Sequence, residues 1–74
     1  MKIKKMKVED IKVGKRFRKD LGDLSLLDQS IKEDGLICPI LVDKDGGLID
    51  GQRRLAALRE LGIKKVEVII YETV

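Results

Sequence analysis

Residues 39–55 read PILVDKDGGLIDGQRRL, and the fold turns on how that run is divided. Proline has no N–H to give to a ladder, so Pro39 fits the start of a strand. Ile40, Leu41 and Val42 follow it as an apolar run. Asp45-Gly46 is the strongest short-range hairpin signal, because the tight turn between paired strands needs positive φ. The spacing therefore predicts residues 40–43 pairing antiparallel with residues 47–50. Immediately afterwards the apolar period changes. Leu55, Leu58 and Leu61 lie on one helical face with Ala57 beside them, which predicts a helix from Gly51 to Leu61, ended by Gly62.

Working outward, "IKKMKV" at 3–8 predicts a short edge strand whose lysines discourage strand-to-strand aggregation. Residues 9–20, with Gly14, read as a loop. Asp23 is the expected N-cap of a first helix, in which Leu24, Leu27 and Ile31 form the apolar face and Asp28, Gln29, Lys32 and Glu33 lie off it. Gly35 is expected to end that helix in the left-handed conformation, with Leu36 folding back on the last turn. In "KVEVIIY" at 65–71, Val66, Val68 and Ile70 alternate with Glu67 and Ile69, which predicts a closing strand. The order β-α-β-β-α-β places the chain in the α+β class, as a small mixed sheet with two helices packed on it. One domain is expected over residues 1–74.

Composition narrows the function classes. The chain has 74 residues, 39% of them charged, with one Phe, one Tyr and no Trp, so its core must be aliphatic. The net charge of +3 permits a polyanionic partner without requiring one, and a solvated charged surface explains it equally well. The excess is concentrated at the start, where residues 1–19 hold only Glu9 and Asp10 against a run of lysines plus Arg16 and Arg18. Lys12, Lys15 and Arg16 are the candidate contacts to a DNA backbone. With no His and Cys38 as the single cysteine, neither an internal disulfide nor a Cys/His zinc site is available. Cys38 reads as a small buried hydrophobe. No apolar run is long enough for a membrane span or a signal peptide. The expectation is a cytoplasmic protein with no membrane partner. Abundant Lys, Glu, Ile and Val, with no Asn, lean toward a thermophile.

The start of the second helix breaks a local rule. With Asp50 as N-cap, Gly51 is N1, Gln52 N2 and Arg53 N3, so cations stand where the helix dipole favours anions. Glycine lets a ligand approach the backbone, the first-turn N–H groups lack intrahelical partners, and two guanidiniums offer fixed forks for phosphate oxygens. Gly51, Gln52, Arg53 and Arg54 thus form a candidate phosphate cradle. Helix-start chemistry alone also admits surface arginines pairing with Asp50, Glu60 or Asp34.

Three segments, "RKD" at 18–20, "SIKEDGLICPILV" at 30–42 and "LIDGQRRLAALRELG" at 48–62, resemble the N-terminal domain of the ParB family, of the ParB/sulfiredoxin-like fold. The family's Gly-Glu-Arg-Arg-x-Arg-Ala motif at a helix start stands here as Gly51, Gln52, Arg53, Arg54, Leu55, Ala56 and Ala57. The resemblance implies binding of a nucleoside triphosphate, CTP or ATP with Mg2+. Gly51, Arg53 and Arg54 would hold phosphates, Arg18 would lie near them, and Gly35, Leu36 and Pro39 would wall the base and sugar. It further implies regulated DNA binding or partition-type assembly, with a homodimer as a partner state. No helix-turn-helix is read in the chain.

The departures from the family pattern carry their own expectations. Gln52 replaces a Glu, and a neutral amide is no general base, so binding without efficient hydrolysis is expected. Ala56 replaces a basic residue. Sulfiredoxins place their catalytic cysteine at the position of Gln52, which disfavours sulfinic-acid repair. Asp50 resembles the Asp-Gly helix start of ParB-like archaeal kinases, where it would serve as metal ligand or base. The alternative function is DNA binding through the basic N-terminal segment, or metal-dependent nuclease action drawing on Glu9, Asp10, Asp20, Asp43 and Asp50.

Overall fold

The computed structural model describes residues 2–15, 20–35 and 39–72. Its elements are β1 (Lys2–Lys7), a single 3-10 turn (Val8–Asp10), α1 (Ser25–Asp34), β2 (Ile40–Asp43), β3 (Leu48–Asp50), α2 (Gln52–Glu60) and β4 (Lys65–Tyr71). This is the expected order and the expected α+β class. The sheet runs β1-β4-β2-β3. β4 pairs antiparallel with β1 and parallel with β2, and β2 pairs antiparallel with β3, so the sheet is mixed and β1 is an edge.

The hairpin forms where Asp45-Gly46 places it. Gly46 takes φ +86°, and its N–H donates to the Asp43 carbonyl at 3.0 Å. The Asp43 carboxylate accepts the N–H groups of Asp45 at 2.9 Å and Gly47 at 2.8 Å, so this side chain organises the whole turn. The hairpin closes at residue 47 as expected, the Asp43 N–H donating to the Gly47 carbonyl at 2.8 Å, although β3 itself begins at Leu48 and the register slips by one residue at Leu41/Val42, the signature of a bulge. Gly47 also bridges to Lys12, which the sequence placed in a loop. The Lys12 N–H donates to the Gly46 carbonyl at 2.9 Å and the Leu48 N–H to the Lys12 carbonyl at 2.7 Å.

The core lies on one face of the sheet. Ile40, Val42 and Val68 are fully buried with Leu55, Ala57 and Leu58 of α2, and Val8, Ile11, Ile31, Leu48 and Val66 complete it. The aliphatic composition is thus met by interlocking branched side chains. Both helices close this core as expected: α2 contacts β2, and α1 packs on α2 with its Ile31 in the same cluster. An amphipathic face specifies burial without naming the neighbour.

The helix ends also differ in detail. Leu24 rather than Asp23 is the boundary residue of α1. Asp23 nonetheless caps by reaching one residue further, its Oδ1 accepting the Ser25 N–H at 2.9 Å. Gly35 ends α1 with its N–H on the Ile31 carbonyl, but at φ 78°, ψ −175°, outside the left-handed helical region that was expected. Leu36 and Cys38 lie outside the described residues. No helix among the described residues is long and apolar enough to cross a membrane.

Candidate anion-binding site

β3 ends at Asp50, and the chain turns into α2 through Gly51. The N-cap is Gly51, at φ 106°, ψ 29°, and no side chain caps the helix. Asp50 as N-cap is therefore corrected. The carbonyl that accepts the first intrahelical bond is that of Gly51, from the Leu55 N–H at 2.8 Å. The numbering shifts by one, making Gln52 N1, Arg53 N2 and Arg54 N3. The physical reason is that the strand-to-helix turn needs a left-handed residue, and only glycine takes that conformation without strain. Space enforces the same choice. A Cβ on Gly51 would lie 3.2 Å from Ile40 Cγ1 and 3.4 Å from an Arg54 terminal nitrogen. The turn is thus wedged between the base of β2 and a guanidinium, with the Arg53 and Arg54 amides in a first turn that offers no intrahelical acceptor.

The two arginines are held differently. Arg53 Nη2 donates to the Asp23 carbonyl at 3.1 Å, tying the start of α2 to the start of α1. The partners expected for Arg53 were acidic side chains, so this backbone contact across the two helix starts is new. The same corner holds the Asp23 carboxyl below the usual carboxylate range. The Ser25 backbone N–H contributes most, then the Ser25 hydroxyl, with the Arg53 charge adding to them. Arg54 reaches back instead, with Nη2 3.6 Å from Asp50 Oδ2, an ion pair too long for a hydrogen bond. Its Nε is buried without a hydrogen-bond partner among the described residues. A buried guanidinium N–H lacking an acceptor is costly, and one beside an uncapped helix start is complementary to an anion.

The other expected residues fall into three groups. Pro39 is exposed and directly precedes Ile40, whose Cα and Cγ1 touch the space at Gly51, so the entry to β2 does border the site. Gly35 is an exposed helix end. Arg18, Leu36 and Arg16 lie outside the described residues. Lys12 and Lys15 are exposed, and the Lys12 backbone is committed to the hairpin. The acids proposed for a nuclease do not converge. Among the described residues no three of His, Cys, Asp or Glu gather in a metal-holding group, and the Asp43 carboxylate is occupied by the turn. Sequence reasoning missed Ile40, the residue that makes glycine obligatory at 51. It also missed Asp23 as an anchor for Arg53, 30 positions away.

Known proteins share this fold. The family model "ParB N-terminal domain" matches residues 1–74. Uncharacterized protein ORF326b of Acidianus two-tailed virus is 34% identical over 67 residues, which is 86% of this chain and 21% of that protein. The chain thus spans about a fifth of the length of this relative. Among solved structures, a pNOB8-like ParB N-domain superposes with a TM-score of 0.80 at 29% identity, over 99% of this chain and 28% of that one. The C-terminally truncated chromosome-partitioning protein ParB from Caulobacter crescentus, complexed with CTP-gamma-S, superposes at 0.82 with 24% identity, over 100% and 46%. Sulfiredoxin from Arabidopsis thaliana gives 0.82 with 24% identity, over 99% and 88%, so the ParB/sulfiredoxin-like fold is the one observed.

Proposed function

Because this chain belongs to the ParB N-terminal domain family, we propose that it binds the polyphosphate of a nucleoside triphosphate at Gly51, Gln52, Arg53 and Arg54, and that occupancy regulates DNA contact or partition-type assembly. The observation that carries this reading is the first turn of α2. A left-handed glycine caps it, no side chain does, and the neighbouring Arg54 Nε is buried without an acceptor. Phosphate oxygens satisfy the helix-start amides and the guanidinium together. A Cβ at Gly51 would crowd Ile40 Cγ1 and the Arg54 guanidinium, so the glycine keeps that guanidinium close to the helix start.

CTP is the first nucleotide to test, since a ParB of the same fold was solved with CTP-gamma-S, and ATP is the second. Arg53 and Arg54 would hold the phosphates, with Arg18 near the phosphates or the nucleotide as the family resemblance implies, while Gly35, Leu36 and Pro39 would wall the base and sugar. A magnesium ion would supply countercharge between phosphates. Gln52 offers an amide rather than a carboxylate, so the site retains its nucleotide instead of turning it over. Among the described residues no group of acids converges to support the nuclease alternative.

Isothermal titration with CTP, ATP and GTP, with and without magnesium, tests the proposal. Binding should appear for at least one nucleotide and fall about tenfold in Arg54→Ala, the loss of one charge-assisted bond. Absence of heat for all three, with amide shifts absent at residues 51–54, would sink it.

A further inference from the structure

The free edge of the sheet presents a second, independent surface. Among the described residues β1 is paired on one side only. Its register with β4 sums evenly from Lys2↔Ile70 to Lys7↔Lys65. The Val8 N–H donates to the Lys64 carbonyl at 2.8 Å, in continuation of that register. Antiparallel ladders alternate bonded and non-bonded pairs. Met6, Lys4 and Lys2 therefore bond inward, and Ile3, Lys5 and Lys7 turn their N–H and C=O groups outward. The same three residues point their side chains to the face of the sheet away from the helices, where Ile3 is 72% exposed. On the opposite side β1 borders a cavity of about 450 Å³ whose floor is Met6, Val42 and Ile70, with Lys4 and Lys44 at its rim.

We propose that β1 accepts an additional strand from an acidic extended polypeptide, with Asp or Glu opposite Lys5 and Lys7 and apolar side chains between them, turned toward the cavity. Main-chain bonds to Ile3, Lys5 and Lys7 supply the pairing, and alternate side chains supply the selection. Opposite charges directly across a ladder stabilise it and like charges oppose it. A second copy's β1 would set lysine against lysine, so the charge that blocks self-association selects an acidic strand. The apolar floor of Met6, Val42 and Ile70 favours apolar side chains on that side and explains the alternation. A nucleic acid is the poorer fit, because its phosphate oxygens accept from the outward N–H groups and lysines but leave the outward carbonyls without donors.

The test is amide-resolved NMR on the intact chain with three probes. They are an alternating Glu-Val peptide of about eight residues, long enough for one strand, an alternating Lys-Val peptide of equal length, and a short DNA duplex. The expected result is binding of the Glu-Val peptide, with exchange slowed at the Ile3, Lys5 and Lys7 amides and unchanged at Lys2, Lys4 and Met6. The double variant Lys5→Glu/Lys7→Glu, at two exposed positions, should weaken Glu-Val binding about tenfold and turn the preference to Lys-Val. Shifts without slowed exchange at those three amides overturn the proposal. So does equal binding of both peptides, or a duplex that perturbs β1 where the Glu-Val peptide does not. None of these outcomes bears on residues 51–54, so the nucleotide reading stands or falls separately.

Discussion

Arg54 and Asp50 face each other across the turn into α2 at 3.6 Å, with the Asp50 side chain 76% exposed and the Arg54 side chain 26% exposed. The pair is therefore a loose latch. Its acid is solvated and worth little to stability, while its guanidinium is mostly sheltered beside the helix start. An incoming phosphate competes with Asp50 for the same nitrogen. Asp50→Asn removes the competitor and should tighten nucleotide binding about threefold, the scale of an exposed ion pair. Calorimetry on both proteins at one salt concentration decides it. Weaker binding in the variant would mean that Asp50 assists the ligand, as a metal-bound carboxylate would.

Gly51→Ala should cost about 2 kcal/mol, since an L residue is strained in the left-handed region and its Cβ would press on Ile40. Thermal unfolding should show a fall of about 10 °C for a domain of this size. A variant as stable as the parent would mean that the turn relaxes and that glycine is not obligatory there.

The nucleotide should be bound without being consumed. Phosphate release from CTP or ATP should stay at background for the native chain, because the Gln52 amide accepts no proton at neutral pH. Gln52→Glu is expected to keep binding and to raise turnover measurably above that background. Brisk release by the native chain would contradict the role given to Gln52.

Glu60 of α2 has its carboxyl pushed above its ordinary value of 4.5. The hydrogen bond with Asp28 of α1 contributes most, then burial, then the Asp28 charge. A raised folded value means that the native state favours the protonated form. That contribution is complete below 4.5 and is lost as pH rises through the folded value. Glu60→Gln supplies an amide donor at every pH, so its unfolding temperature should exceed the native one near about pH 7 and converge with it near about pH 4. Asp23 has the opposite sign. Its depressed value adds stability above 3.8 that is lost as pH falls further, so the two effects occupy separate windows. A constant gap between Glu60→Gln and the native chain would refute the upward shift of Glu60.

The hairpin was legible because Asp45-Gly46 fixes a turn through local backbone chemistry, and the Val66, Val68 alternation marked the buried face of β4 directly. The α2 start was legible in composition but misplaced by one residue. Statistical preference favours Asp at an N-cap, whereas the turn out of β3 demands a left-handed glycine with Ile40 pressed against it. That demand comes from tertiary contact and leaves no trace in local pattern. The same holds for Arg53 on the Asp23 carbonyl, and for α1 resting on α2. The apolar period of α1 shows which side is covered, but its partner is set by chain connectivity.

The strand order β1-β4-β2-β3 also governs how the domain comes into being. β1 and β2 are not neighbours, and β1 finds its only ladder partner among the described residues in β4, the strand that follows α2. As the polypeptide leaves the ribosome, the β2–β3 hairpin and α2 can assemble early, but β1 has no ladder to join until residues 65–71 emerge. Contacts so distant in sequence slow folding and leave the lysine-rich first strand waiting in solution. Its charge then has a use before the native state exists, keeping the nascent segment soluble until β4 arrives. Arrested chains ending at Lys64 should therefore lack protected β1 amides, and protection of those amides before β4 emerges would exclude this order of events.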